Sequence, residues 1–214
     1  MKITILYDNT VFLSGLKSDW GFSCLVETHG RRILFDAGAD GSILLENMKK
    51  LEIDPSSIDE VFISHHHFDH VGGLSAFLNK NNNVIIYAPT SLRGIRNARK
   101  IIHVNEAIEL HDNIFSTGEL EHIEQSMAVK TNKGLVLIVG CSHPEMGSII
   151  KAATQFGEVH AIIGGLHGFN EFDLLKDLEV IGPTHCTKHI AEIKTLYPDK
   201  YIEGGVGKII EIKG

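Results

Sequence analysis

Apolar residues in this chain fall into many short runs separated by polar turns. Residues 3–7, 22–28 and 32–35 predict strands, with His29-Gly30 as the turn between the last two, because glycine readily takes positive φ. Residues 42–51 carry Ile43, Leu44, Met48 and Leu51 at helical spacing. A short buried-type strand, 61–64, leads into a run of histidines, and residues 72–78 begin a helix. Beyond the turn at Asn81-Asn82-Asn83 the pattern predicts a strand at 84–87, a helix over 91–100, and strand-rich chain from about Ile108. Residues 127–131 and 134–139 read as a hairpin around Asn132-Lys133. Pro144 suits the first turn of a helix running to about 156. A strand at 159–163, a helix at 188–196 stopped by Pro198, and a strand at 208–212 complete the pattern. Each half thus has strands followed by a helix, which two packed sheets with helices outside would accommodate.

Composition narrows this picture. A chain of 214 residues can bury one sizeable core, so one αβ domain over 1–214 is expected. The formal charge of -7 argues against a nucleic-acid binder, since phosphate neutralisation needs clustered Lys and Arg. The start, MKITILYDNT, reads as a strand and not as a signal peptide. The longest apolar runs, such as 135–139, are far too short to cross a bilayer. Cys24, Cys141 and Cys186 are odd in number and lack disulfide-like spacing, and together these features point to a reducing cytoplasm. The anomaly is 13 histidines, unevenly placed.

Their densest cluster is His65-His66-His67-Phe68-Asp69-His70. Imidazole and carboxylate are ligands for zinc, iron or manganese. Residues two apart in an extended segment point the same way, so His65 and His67 can grip one ion, while His66 points away. A tightening turn after Phe68 can present Asp69 and His70 to a neighbouring ion. An internal, interrupted run flanked by core-like sequence is unlike a solvated loop or a tag, and strand-to-helix loops are favoured places for function.

The segment S-H-H-H-F-D-H-V-G-G-L resembles the signature of the metallo-β-lactamase superfamily, and Leu34-Phe35-Asp36-Ala37-Gly38 resembles its strand ending in Asp-x-Gly. Residues 140–144, 164–167 and 183–187 extend the resemblance to one branch, that of 7,8-dihydropterin-6-methyl-4-(β-D-ribofuranosyl)-aminobenzene-5'-phosphate synthase and its relatives. It covers nearly the whole chain. It implies an α/β (α+β) four-layer αββα sandwich holding two divalent metal ions, zinc foremost, with manganese or iron as alternatives. The implied ligands are His65, His67 and His143 for one metal, and Asp69, His70 and His185 for the other. His143 and His185 both lie on loops beyond strand ends.

The sequence departs from the commoner superfamily pattern at Cys141, which stands where many members carry a bridging Asp. A thiolate ligand and an unligated buried cysteine both remain open there. Resemblance gives His167 a substrate-facing role or that of general acid, and makes Asp69 a candidate proton acceptor. His29, His103, His111, His122, His160 and His189 read as ordinary surface or core residues. Arg93, Arg96 and Arg99, spaced to share one helical face, are candidate phosphate contacts, with a solvated charged face as the plainer reading.

The implied activity is a synthase joining a dihydropterin methyl diphosphate to a ribofuranosyl-aminobenzene phosphate. The alternative is a metal-dependent hydrolase of a phosphate ester or other small ester or amide, and a metal-binding sensor is a third reading. The expected partner is a phosphorylated small molecule, with no nucleic acid and no membrane.

Overall fold

The computed structural model describes residues 1–212. Thirteen strands run in chain order: β1 (Lys2–Tyr7), β2 (Ser23–Thr28), β3 (Arg31–Phe35), β4 (Glu60–Phe62), β5 (Ile85–Pro89), β6 (Lys100–Val104), β7 (Ile108–His111), β8 (Ile114–Ser116), β9 (Met127–Thr131), β10 (Gly134–Val139), β11 (Val159–Gly165), β12 (Val180–Thr184) and β13 (Ile209–Glu211). The α-helices are α1 (Gly41–Lys50), α2 (Phe68–Val71), α3 (Leu74–Leu78), α4 (Met146–Thr154) and α5 (Ile190–Leu196). One sheet has the order β13-β1-β2-β3-β4-β5-β6, the other β12-β11-β10-β9-β8-β7.

Three apolar layers show why the chain stacks as it does. Strands buried on both faces need apolar partners on each side, and their alternation supplies them. Ile3, Ile5, Val26, Ile33 and Phe35 of the first sheet meet Val129, Val136, Ile138 and Ile163 of the second in the central layer. The opposite faces, Leu6, Leu25, Leu34 and Val61, pack against Leu44 and Met48 of α1 and Phe77 of α3. On the far side Leu135, Leu137, Val139 and Ile162 pack against Met146, Ile149 and Ala153 of α4 and Ile193 of α5. The result is the expected αββα sandwich.

The hairpin about Asn132-Lys133 forms in register, with Gly134 opposite Thr131. The helix predicted to begin over 72–78 forms as α3, starting at Leu74, and Gly72 and Gly73 separate it from the short helix α2 before it. The helix expected from Pro144 begins two residues later, at Met146.

The predicted helix over 91–100 does not form. Gly94 (φ 84°) and Asn97 (φ 67°) are left-handed, which a right-handed helix cannot contain. Leu92, Ile95 and Ala98 still pack on the helix-side core. Their three-residue spacing thus belongs to an irregular segment leading into β6, which pairs parallel with β5. Arg93, Arg96 and Arg99 are exposed and share no helical face.

Candidate metal centre

The carboxyl ends of parallel strands gather the candidate residues. Strand β3 is parallel to β4, and β10, β11 and β12 are mutually parallel. Asp36 follows β3, the histidine run follows β4, Cys141-Ser142-His143 follows β10, His167 follows β11, and His185 follows β12. The two sheets join beneath them: His65 bridges Glu124, and Gln125 N–H donates to the Ser64 carbonyl at 2.9 Å. Four non-glycine residues here, Asp36, Ser142, His167 and His185, have φ between 41° and 56°. Such left-handed backbone costs about 1–3 kcal/mol per residue and collects at functional sites.

His65, His67 and His143 bring their ligand nitrogens within 4.8 Å of one another, and so do Asp69, His70 and His185 with their ligand atoms. In the first group the ring centroids lie 4.6 to 4.8 Å apart. In the second, Asp69 Oδ2 is 3.3 Å from His185 Nε2 and 3.8 Å from His70 Nε2. Cys141 Sγ lies 3.2 Å from His70 Nε2.

Surrounding acceptors set the tautomers. His70 Nδ1 is 2.7 Å from Asp36 Oδ2, which also receives the Ser64 hydroxyl. With its proton given to Asp36, the Ser64 Oγ is the acceptor for His65 Nδ1 at 2.9 Å. His185 Nδ1 lies 3.0 Å from Asn9 Oδ1. Each imidazole thereby has its Nδ1 proton assigned outward and its Nε2 lone pair inward, the usual arrangement for metal-ligating histidines. Nε2 of His65, His143 and His185 is buried without a hydrogen-bond partner. A buried orphan acceptor costs about 1–3 kcal/mol. One cation at each ligand group would satisfy these nitrogens, two in the first and one in the second, so the residues fit a metal centre.

The electrostatics of the two groups differ. In the first, burial and then the neighbouring imidazoles hold His65 well below the ordinary histidine range. His143 is pushed down to about 4, and His67 is lowered too, for the same causes led by burial. In the second, burial pushes Asp69 up, but the neighbouring His185 and His70 imidazoles outweigh it and hold the carboxylate at about 2. Burial pushes His70 down, yet Asp36, Asp69 and Glu124 outweigh it and raise the imidazole above its ordinary value.

His66 is exposed, as its alternation predicted. His167 is exposed, with its ring 5.3 Å from that of His143. Arg96 lines a cavity with Leu74, Ser75, Leu78 and Asn79 that contains no residue of either ligand group. Several contributors escaped the sequence reading. Buried Glu124 accepts the backbone N–H groups of Cys141, Ser142 and His143 at 2.9 to 3.1 Å and so shapes the His143 loop. Asp8 accepts the N–H groups of His185 and Gly205. Asp8-Asn9 ends an apolar strand just as the histidine loops do, so a signal was present. Glu124 had none, because its partners lie 17 to 19 residues away.

The family model described as the metallo-beta-lactamase superfamily matches residues 21–190, a span holding both ligand groups. The chain belongs to this superfamily. Among similar superfamily proteins, the 7,8-dihydropterin-6-methyl-4-(beta-D-ribofuranosyl)-aminobenzene-5'-phosphate synthase of Methanocaldococcus jannaschii is 28% identical, across 89% of this chain and 87% of the relative. The solved structure of Tm1679, described as a metal-dependent hydrolase of the β-lactamase superfamily, aligns with TM-score 0.80 and 24% identity over all of both chains. That of the metallo-beta-lactamase fold protein YhfI from Bacillus subtilis aligns with TM-score 0.71 and 12% identity over 98% of each. Among the described residues no helix is long and apolar enough to cross a membrane.

Proposed function

We propose that this chain is a two-metal enzyme in which His65, His67 and His143 hold one divalent cation and Asp69, His70 and His185 the other, zinc foremost. The observation that carries this reading is the pair of three-ligand groups, in which Nε2 of His65, His143 and His185 is buried without a hydrogen-bond partner. When bound, such cations neutralise and orient a phosphate or diphosphate group and polarise its oxygens.

The reaction we infer is synthase-like: a dihydropterin methyl diphosphate condenses with a ribofuranosyl-aminobenzene phosphate and diphosphate leaves. Similarity to the named synthase over most of both chains supports it. So do the exposed rings of Trp20 and Phe68, which suit a flat heterocycle. Trp20 lies 5.2 Å from the His185 ring, and Phe68 sits within the histidine run. His167, exposed beside His143, is the residue we assign to proton transfer with the substrate. Asp69, held at about 2, is too weak a base to accept a proton efficiently near neutral pH, so its part is that of ligand.

A metal-dependent hydrolase of a small ester or amide is the second reading. Arg96 lines a cavity apart from both ligand groups, which removes the phosphate anchor the first reading assumed and favours a substrate that needs none. Diphosphate release, followed with and without the aminobenzene substrate, separates the two. Release that never depends on the second substrate sinks the synthase. A His67→Ala variant with full metal content and activity overturns the metal assignment itself.

A further inference from the structure

Two of the three cysteines are brought together by the fold. The Sγ atoms of Cys141 and Cys186 lie 3.3 Å apart across 45 residues of chain. They stand on separate loops, after β10 and after β12, and both are free thiols. A disulfide S–S bond is about 2.05 Å, so bonding requires closure of little more than about 1 Å. The space between them is built for sulfur. A Cβ placed on Gly165 would come within 2.8 Å of Cys186 Sγ and 3.2 Å of Cys141 Cα. Cys24 is buried in the layer between the sheets and is not part of this pair.

The pair also borders the ligand groups. Cys186 directly follows His185, Cys141 precedes His143 by two residues, and Cys141 Sγ lies 3.2 Å from His70 Nε2. Cys141 can join His65 and His70 as a metal-ligating set, or His185 and Cys186 as another.

We propose that Cys141 and Cys186 form a redox-modification site, in which peroxide converts the dithiol to a disulfide and thereby weakens cation binding at Asp69, His70 and His185. The sulfur of Cys186, the more exposed of the two at 8% against 3%, attacks one peroxide oxygen. The O–O bond breaks, water leaves, and a sulfenic acid forms. Cys141 sulfur then displaces the second oxygen as water, and its thiol proton leaves with it. Two thiols and one hydrogen peroxide thus give one disulfide and two waters, the sulfurs losing the two electrons that the peroxide gains. The disulfide removes the free sulfhydryl of Cys141 from beside His70 and ties together the loops carrying His143 and His185. The effect on metal rests on the ligand assignment above, whereas disulfide formation does not.

The test treats the metal-loaded full chain with hydrogen peroxide, blocks remaining thiols with a maleimide under denaturing conditions, and maps the peptides. The expected product has lost two hydrogens, carries a cross-linked Cys141–Cys186 peptide and one blocked thiol at Cys24. Cys24→Ser should form the same cross-link, and Cys186→Ser should not. Three unchanged thiols, or sulfinic and sulfonic acids without the cross-link, overturn the proposal. Zinc titration of oxidised and dithiothreitol-reduced protein reads the coupling: at least a tenfold weaker second equivalent after oxidation is expected, with recovery on reduction. A disulfide that leaves both zinc affinities unchanged overturns the coupling and leaves the ligand assignment standing. Failure of the reduced protein to bind any zinc counts against that assignment instead.

Discussion

The two ligand groups share one end of the sandwich but are built differently. His65, His67 and His143 are all imidazole, and His67 and His143 are only partly buried. Asp69, His70 and His185 are all buried, include a carboxylate, and are braced by Asp36 and Asn9. The first group offers neutral nitrogens, since every shift there disfavours the protonated form. The second concentrates negative charge around an imidazole that holds its proton more tightly than usual. Two sites with similar ligand counts should therefore differ in affinity, in pH response and in dependence on their supports.

The largest expected effect comes from Asp69→Ala, which removes the only anionic ligand. One metal equivalent should be lost, and turnover should fall by more than about 100-fold, a loss of about 3 kcal/mol in transition-state stabilisation. Metal analysis that shows the lost equivalent at the all-histidine group would break the comparison. Asp36→Ala acts one step away: it frees the His70 ring and should weaken the second site by about 10–100-fold. Chelator competition reads this, and an equal loss at both sites would mean that Ser64 transmits the change to His65.

The pH dependence sharpens the same contrast. His70 is raised, so cation binding at the second site must displace a proton and should strengthen as pH rises through that range. The first site should keep its affinity as pH falls to just below 6.5, because burial and the neighbouring imidazoles lower all three of its histidines. Calorimetry in buffers of different ionisation enthalpy counts the protons released. The same lowered histidines bind fewer protons folded than unfolded. The metal-free protein should therefore lose stability as pH drops below 6.5, the loss levelling off below the folded-state values. The smallest effect is expected from Trp20→Ala, with KM raised roughly tenfold by loss of about 1.5 kcal/mol of ring stacking and both metals retained. A change in metal content there would assign Trp20 to bracing His185, whose ring it touches.

How much of this was legible follows from what each signal depends on. The His65–His70 run was readable because its residues are neighbours, and alternation separates His66 from His65 and His67 without any knowledge of the fold. The region 91–100 misled because apolar spacing of three is shared by a helix and by an irregular segment docking Leu92, Ile95 and Ala98. The left-handed turns at Gly94 and Asn97 decide between them.

By itself the sequence determined the alternation that yields two sheets, the apolar faces that cover them, and a cluster of ligands at one strand end. Only the tertiary structure decided that Asp36 orients His70, that Glu124 gathers three amides of the His143 loop, and that Cys141 meets Cys186. The reason is range. Periodicity reports which face a residue presents to its nearest neighbours in the chain. A hydrogen bond between loops 17 to 45 residues apart depends on strand order and register, which no local pattern encodes.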